Sequence, residues 1–121
     1  MKNKFEDLTP EQLQTKLLGM IGFAKKAGKI IIGCELVLGA IRSAGQKFPK
    51  IVLVSADASE NTKKRVENAC KFYECSLRCL PIGGAKLGEI VGKSGTVCCV
   101  GITDDGFAST IRALLQSGKT L

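Results

Sequence analysis

Ile51-Val52-Leu53-Val54 is a run of aliphatic, mostly β-branched residues with no polar position, preceded by Pro49. Side chains of a strand alternate between its two faces, so such a run needs apolar cover both above and below. It reads as a central strand, and the remaining segments must supply layers on either side of it.

Those layers are visible as helical stripes. Thr9-Pro10-Glu11-Gln12 is a helix start, with a capping hydroxyl, proline at the first helical position and glutamine at the position of a capping box. Leu17, Met20, Ile21 and Ala24 follow at i, i+3, i+4, i+7, and Gly28 is the expected stop. Lys29 to Ile32 reads as a short strand. From Gly33 a second helix carries Val37, Ala40, Ile41 and Ala44 on one face and ends at Gly45.

After the central strand, Asp57 and Ser59 are candidate caps for a helix striped by Val66, Ala69, Cys70 and Tyr73, with Lys63, Lys64, Glu67 and Lys71 outside. Cys75 to Leu80 alternates as a strand with one wetter face, and Pro81 ends it. A short helix around Leu87 and Ile90 lies between Gly83 and Gly92, then Thr96 to Ile102 reads as a second buried strand. Asp104-Asp105-Gly106 turns into a last helix on Phe107, Ile111, Leu114 and Leu115. The alternation predicts an α/β fold, a three-layer α/β/α sandwich on a sheet of about four strands. A chain of 121 residues is expected to form one domain, 1–121.

Chemistry finds few footholds. The chain has no histidine and no G-x-S-x-G nucleophile turn. Gly92-Lys93-Ser94 imitates the end of a phosphate loop, but the required earlier glycine is Leu87. Asp57, Asp104 and Asp105 stand before helices, where capping explains them. No catalytic residue is assigned. Six cysteines invite a zinc or disulfide reading, yet there is no C-x-x-C. On a strand Cys75 and Cys79 would stand about 13 Å apart, and adjacent Cys98 and Cys99 would point to opposite faces. Reduced, mostly buried thiols are expected, without a metal or other cofactor.

Lysine and arginine outnumber the acids 18 to 11, a net charge of +7 that favours polyanionic partners. With one Tyr and no Trp, a sheet surface of stacked aromatics is not available for binding bases, so RNA contact must use helix ends and loops. No apolar stretch reaches the roughly 18 residues of a membrane span, and the N-terminal MKNKFEDLTPEQ lacks a secretory core, so the expected location is the cytoplasm.

Two loops stand out. A helix opening at Gly33-Cys34-Glu35 presents N–H groups without intrahelical partners beside Lys26 and Lys29. The segment around Gly84, Ala85, Lys86 and Leu87 combines glycine backbone with a cation and an apolar flank suited to a splayed nucleotide.

Four segments in this order carry a resemblance: LLGMIGFAKKAGKIIIGCELVLGAIR, KIVLVSADASENTKKRVENACKF, PIGGAKLGEIVGK and VGITDDGFAST. Together they resemble the kink-turn-binding ribosomal protein superfamily of the L-seven-Ae and L-thirty-e type, closest to its small bacterial YlxQ-like branch, from about Leu17 onward. The resemblance implies an L-thirty-e-like fold, no catalysis and no small-molecule substrate. It also implies binding to RNA that bends sharply beside tandem G·A pairs.

In that family the second helix opens Gly-x-Asn-Glu-x-x-Lys and its polar side chains read guanines. Here Gly33 matches the glycine, while Glu35, Leu36 and Gly39 occupy the asparagine, glutamate and lysine places. The expected function is thus a non-enzymatic, ribosome- or translation-associated binder of structured, kink-turn-like RNA. Its candidate contacts are Lys26, Lys29, Gly33, Cys34, Glu35, Arg42, Gly84, Ala85, Lys86 and Leu87. The alternative is a protein-interaction domain that has lost kink-turn specificity, as Gly39 in place of lysine permits.

Overall fold

A computed structural model describes residues 8–117. The residues 1–7 read above as lacking a secretory core lie outside them. The first helix, α1 (Pro10–Lys26), starts on the capping box: Gln12 N–H donates to Thr9 Oγ1 at 3.1 Å and Thr9 N–H to Gln12 Oε1 at 3.0 Å. It ends at Gly28, whose φ of 71° lets Lys29 N–H reach back to the Ala24 carbonyl at 2.8 Å. Leu13, Leu17, Ile21 and Ala24 form its buried face, and Met20 is half-buried.

The strands β1 (Ile30–Ile32), β2 (Ile51–Val54), β3 (Leu77–Cys79) and β4 (Cys99–Ile102) make one sheet in the order β1-β4-β2-β3. β4 is antiparallel to both β1 and β2, while β3 runs parallel to β2. All four residues of β2 are buried, as a strand covered on both faces must be. Ile51, Leu53, Val100 and Ile102 face one core with α1, α4 (Gly84–Ile90) and α5 (Asp105–Ser117). Val52, Val54 and Cys99 face the other with α2 (Cys34–Ser43) and α3 (Glu60–Phe72). The three-layer α/β/α sandwich follows directly.

Several local expectations are corrected. α2 terminates on Ala44, which itself adopts the left-handed conformation at φ 51°, and not on Gly45. The last strand is shorter than Thr96 to Ile102, leaving Cys98 outside it, so strand alternation does not separate Cys98 from Cys99 and both border the α2/α3 core. The Cys75 to Leu80 strand contracts to three residues at the sheet edge. Of the six free thiols, Cys70, Cys75 and Cys99 are buried, Cys34 and Cys98 half-buried, and Cys79 exposed.

The directions of the strands decide where loops meet. β1, β2 and β3 all run toward one rim of the sheet and lead there into α2, α3 and α4, while antiparallel β4 begins at that rim. Lys29 and Lys50 lie at the opposite rim, where Thr103 N–H donates to the Lys29 carbonyl at 3.0 Å and Lys50 N–H to the Ile102 carbonyl at 2.7 Å.

Candidate nucleic-acid interface

Gly33 joins β1 to α2 at φ 104°, a conformation that side-chain-bearing residues rarely adopt, and among the described residues nothing stands within 4 Å of where a Cβ would be. Its N–H donates to the Cys99 carbonyl at 2.9 Å and its carbonyl accepts from Val37 N–H at 3.0 Å. Among the described residues no side chain caps α2. The N–H groups of Cys34, Glu35 and Leu36 therefore begin the helix without intrahelical acceptors, at the positive end of its dipole.

Around this turn the side chains are not those of a guanine reader. Glu35 Oε2 is bound to Arg65 Nη2 of α3 at 2.9 Å, and Leu36 is 67% exposed. Arg65 escaped the sequence reading because it flanks the Val66 stripe, and only the packing of α3 on α2 brings it over the Gly33 turn. Burial pushes the Cys34 thiol up, with Arg65 and more weakly Arg42 pulling the other way, so the thiol stays protonated at neutral pH.

The second expected contact is largely corrected. Gly84 is buried, its N–H donates to Asp57 Oδ1 at 2.8 Å and its carbonyl accepts from Val97 N–H at 3.0 Å. Leu87 has 0% exposure and belongs to the core, so it presents no apolar flank to a nucleotide. Ala85 and Lys86 are exposed, with Lys86 Nζ 3.8 Å from Glu89 Oε1. Asp57, read as a cap for α3, instead holds the start of α4, while α3 is capped by Ser59, whose Oγ accepts from Thr62 N–H at 3.1 Å. The Gly84 N–H holds the Asp57 carboxyl below its ordinary range, and the nearby Ser55 hydroxyl adds a smaller push.

The loop that does adjoin Gly33 is the one between α4 and β4, residues 92–98. Gly33 N–H bonds Cys99 O, Ser55 N–H bonds Cys98 O, and Val97 N–H bonds Gly84 O, which ties this loop to the starts of α2 and α4 and to the turn after β2. Lys93, Ser94, Gly95 and Thr96 are exposed along it. A Cβ at Gly88 would lie 2.1 Å from the Gly95 carbonyl oxygen, so α4 and the loop are in direct backbone contact. The Gly-Lys-Ser-Gly-Thr composition of residues 92–96 is the sequence signal for this loop, and the strand begins only at Cys99.

Lys26 and Lys29 are not brought to this rim. The length of β1 separates Lys29 from Gly33 by about 13 Å, and Lys26 borders a groove against α4. Arg42 sits in the last turn of α2, about 12 Å along the axis from its start, with its guanidinium still contributing to the field at Cys34. The structure thus gathers Gly33, Cys34, Glu35, Arg65 and residues 92–98, with Ala85 and Lys86 on the adjoining α4. Among the described residues no three His, Cys, Asp or Glu side chains converge to hold a metal ion.

The model of the ribosomal protein L7Ae/L30e/S12e/Gadd45 family matches residues 15–112. The chain belongs to this family. An RNA-binding protein YlxQ of Enterococcus faecium is 39% identical over 102 residues, which is 84% of this chain and 92% of that protein. The RNA-binding protein YlxQ of Bacillus subtilis strain 168 is 38% identical over 97 residues, 80% of this chain and 92% of that one. Both place the chain in the bacterial YlxQ-like branch of the L7Ae superfamily.

Among solved structures, a protein of unknown function from Bacillus halodurans superposes with a TM-score of 0.74 at 28% identity, covering 84% of this chain and 97% of its own. The Giardia lamblia 15.5kD RNA binding protein superposes with a TM-score of 0.68 at 16% identity, covering 98% and 96%, and so shares the fold. No described helix is long and apolar enough to cross a membrane.

Proposed function

We propose that the protein is a non-enzymatic, cytoplasmic RNA-binding domain, 1–121, associated with ribosomes or translation, and that it engages structured, kink-turn-like RNA at the rim built from Gly33–Leu36 and residues 92–98. The observation that carries this reading is the uncapped start of α2, with Arg65 across it, packed against a glycine-rich basic loop in a chain of net charge +7. Backbone donors and cations there suit a phosphate backbone at a sharp bend. The names of the YlxQ relatives point to the same partner. Leu36 and Gly39, in the glutamate and lysine places of the family pattern, remove two base-reading groups, so shape and phosphate contacts carry the recognition.

The test is fluorescence anisotropy with a kink-turn RNA and a control lacking its tandem G·A pairs, over a salt series. Preferential binding to the first is expected. Arg65→Glu with Lys86→Glu abolishes it, while Lys29→Glu, at the far rim, produces only a small electrostatic loss. Binding that is indifferent to Arg65 and Lys86 overturns the site. Absence of RNA binding with an intact fold favours the second reading, a protein-interaction domain, to which the 67% exposure of Leu36 is suited.

A further inference from the structure

On the side of the sheet away from α2, the C-terminal half of α1 and helix α4 flank an open groove of about 360 Å³. It exists because α1 carries glycine twice on this wall: among the described residues nothing lies within 4 Å of a Cβ at Gly19, and only the Ile90 side chain approaches one at Gly22, at 3.5 Å. Phe23 rises beside the groove 57% exposed, and Ile90 is 36% exposed on the opposite wall. Lys25 and Lys26 stand at its end, exposed and without an ion-pair partner among the described residues. Lysines in a last turn complement the helix dipole, which accounts for their charge but not for an exposed phenylalanine beside them.

We propose that this groove docks an acidic amphipathic segment of a partner protein, its apolar side chains over Phe23 and Ile90 and its carboxylates on Lys25 and Lys26. Charge selects this occupant. A second copy of a chain with net charge +7 would oppose lysine to lysine. An RNA backbone offers nothing apolar to the groove floor, whereas an amphipathic helix presents apolar groups at i, i+3, i+4 and i+7 with acids alongside for Lys25 and Lys26, and Glu89 on the α4 wall has Lys86 Nζ 3.8 Å from its carboxylate. Because α2 lies on the other side of the sheet, the groove faces away from the Gly33 turn and adjoins the RNA rim at Gly92, which borders both, while its docking contacts lie on α1 and Ile90.

The experiment titrates the full-length ¹⁵N-labelled chain with two synthetic amphipathic peptides of about 14 residues, four helical turns, with one leucine pattern and either Glu or Lys at every polar position. Saturable amide shifts confined to Gly19, Gly22, Phe23 and Ile90 are expected with the Glu peptide and not with the Lys peptide. Lys25→Glu/Lys26→Glu and, separately, Phe23→Ser weaken that binding by about tenfold or more without altering the rest of the spectrum. Shifts absent, spread elsewhere or equal for the two peptides overturn the proposal. So does a stem–loop RNA that shifts the same amides more strongly, or a shift of these amides with protein concentration alone, which would assign the groove to RNA or to a second copy.

Discussion

Gly88→Ala tests the contact that positions the 92–98 loop. The new Cβ would stand 2.1 Å from the Gly95 carbonyl oxygen and 3.2 Å from its carbonyl carbon, closer than real Cβ atoms approach backbone. A separation of about 1 Å between α4 and the loop is needed to relieve it. Both sides are tied: Lys93 N–H donates to the Gly88 carbonyl at 2.8 Å, Val97 N–H to the Gly84 carbonyl at 3.0 Å, and Gly84 N–H to Asp57 at 2.8 Å. Overpacking costs about 1–3 kcal/mol and each backbone hydrogen bond lost about 1 kcal/mol, so a loss of about 3 kcal/mol is expected. At about 4 °C per kcal/mol for a chain of this size, the midpoint falls by about 12 °C. Thermal and urea unfolding followed by circular dichroism measure this. Gly39→Ala is the control, a helical glycine with open space around it that gains up to about 1 kcal/mol. At a temperature where both proteins are folded, Gly88→Ala also weakens RNA binding, because the loop beside Gly33 has moved. A Gly88→Ala protein within about 0.5 kcal/mol of the parent would refute the α4–loop contact and with it the geometry of the rim.

Gly39→Lys puts a donor at the lysine place of the family pattern on an exposed, unobstructed helix position, so kink-turn discrimination is expected to rise by about 1–3 kcal/mol, roughly five- to 150-fold, with no loss in melting temperature. Equal gains for the control RNA would show that the lysine adds charge only. Glu35→Gln breaks an ion pair that is mostly exposed, so stability changes by less than about 1 kcal/mol, while RNA affinity rises as Arg65 is released. A fall in affinity would mean that the Glu35 carboxylate itself reads a base. Arg65→Ala is expected to lower the salt slope of binding by about one unit, and an unchanged slope would remove Arg65 from the phosphate contacts. Asp57 has a carboxyl below its ordinary 3.8 in the fold, so its contribution to stability is present above that value and lost as pH falls through the lower folded value. The stability gap between the parent and Asp57→Asn, followed by urea unfolding from pH 7 downward, should hold to about pH 4 and then narrow. A gap constant to pH 2 would argue against the Asp57–Gly84 bond.

What the sequence made legible is whatever its local pattern determines. The Ile51–Val54 run can be satisfied only with cover on both faces, and Thr9 with Gln12 closes a capping box within four residues, so both are found as read. The α4 region was harder for a physical reason. A helix of seven residues makes two turns, too few for a stripe to say which side is inward, so the sequence does not reveal that Leu87 is the buried anchor. Asp57 caps a helix 27 residues downstream, a pairing no local window contains. Lys29 and Gly33 are neighbours in sequence, yet the extended strand between them sends them to opposite rims, so a basic cluster in the sequence is not one on the surface.

The insertion of β4 between β1 and β2 builds the candidate site. Parallel strands joined through helices bring helix starts to one rim, and there α2 leaves over one face and α4 over the other, the arrangement at which open α/β sheets expose backbone to ligands. Because β4 runs the opposite way, its preceding loop enters that same crevice and its Cys99 carbonyl holds the Gly33 turn. The constraints fall on glycines and main-chain bonds: Gly33 for its positive φ, Gly88 for its approach to Gly95. Leu36 and Gly39 sit on the outer wall, where substitution leaves the scaffold intact. A rim made this way loses base discrimination before it loses affinity for a bent phosphate backbone, which is why salt dependence, and not affinity at a single salt concentration, is the decisive observable for this chain.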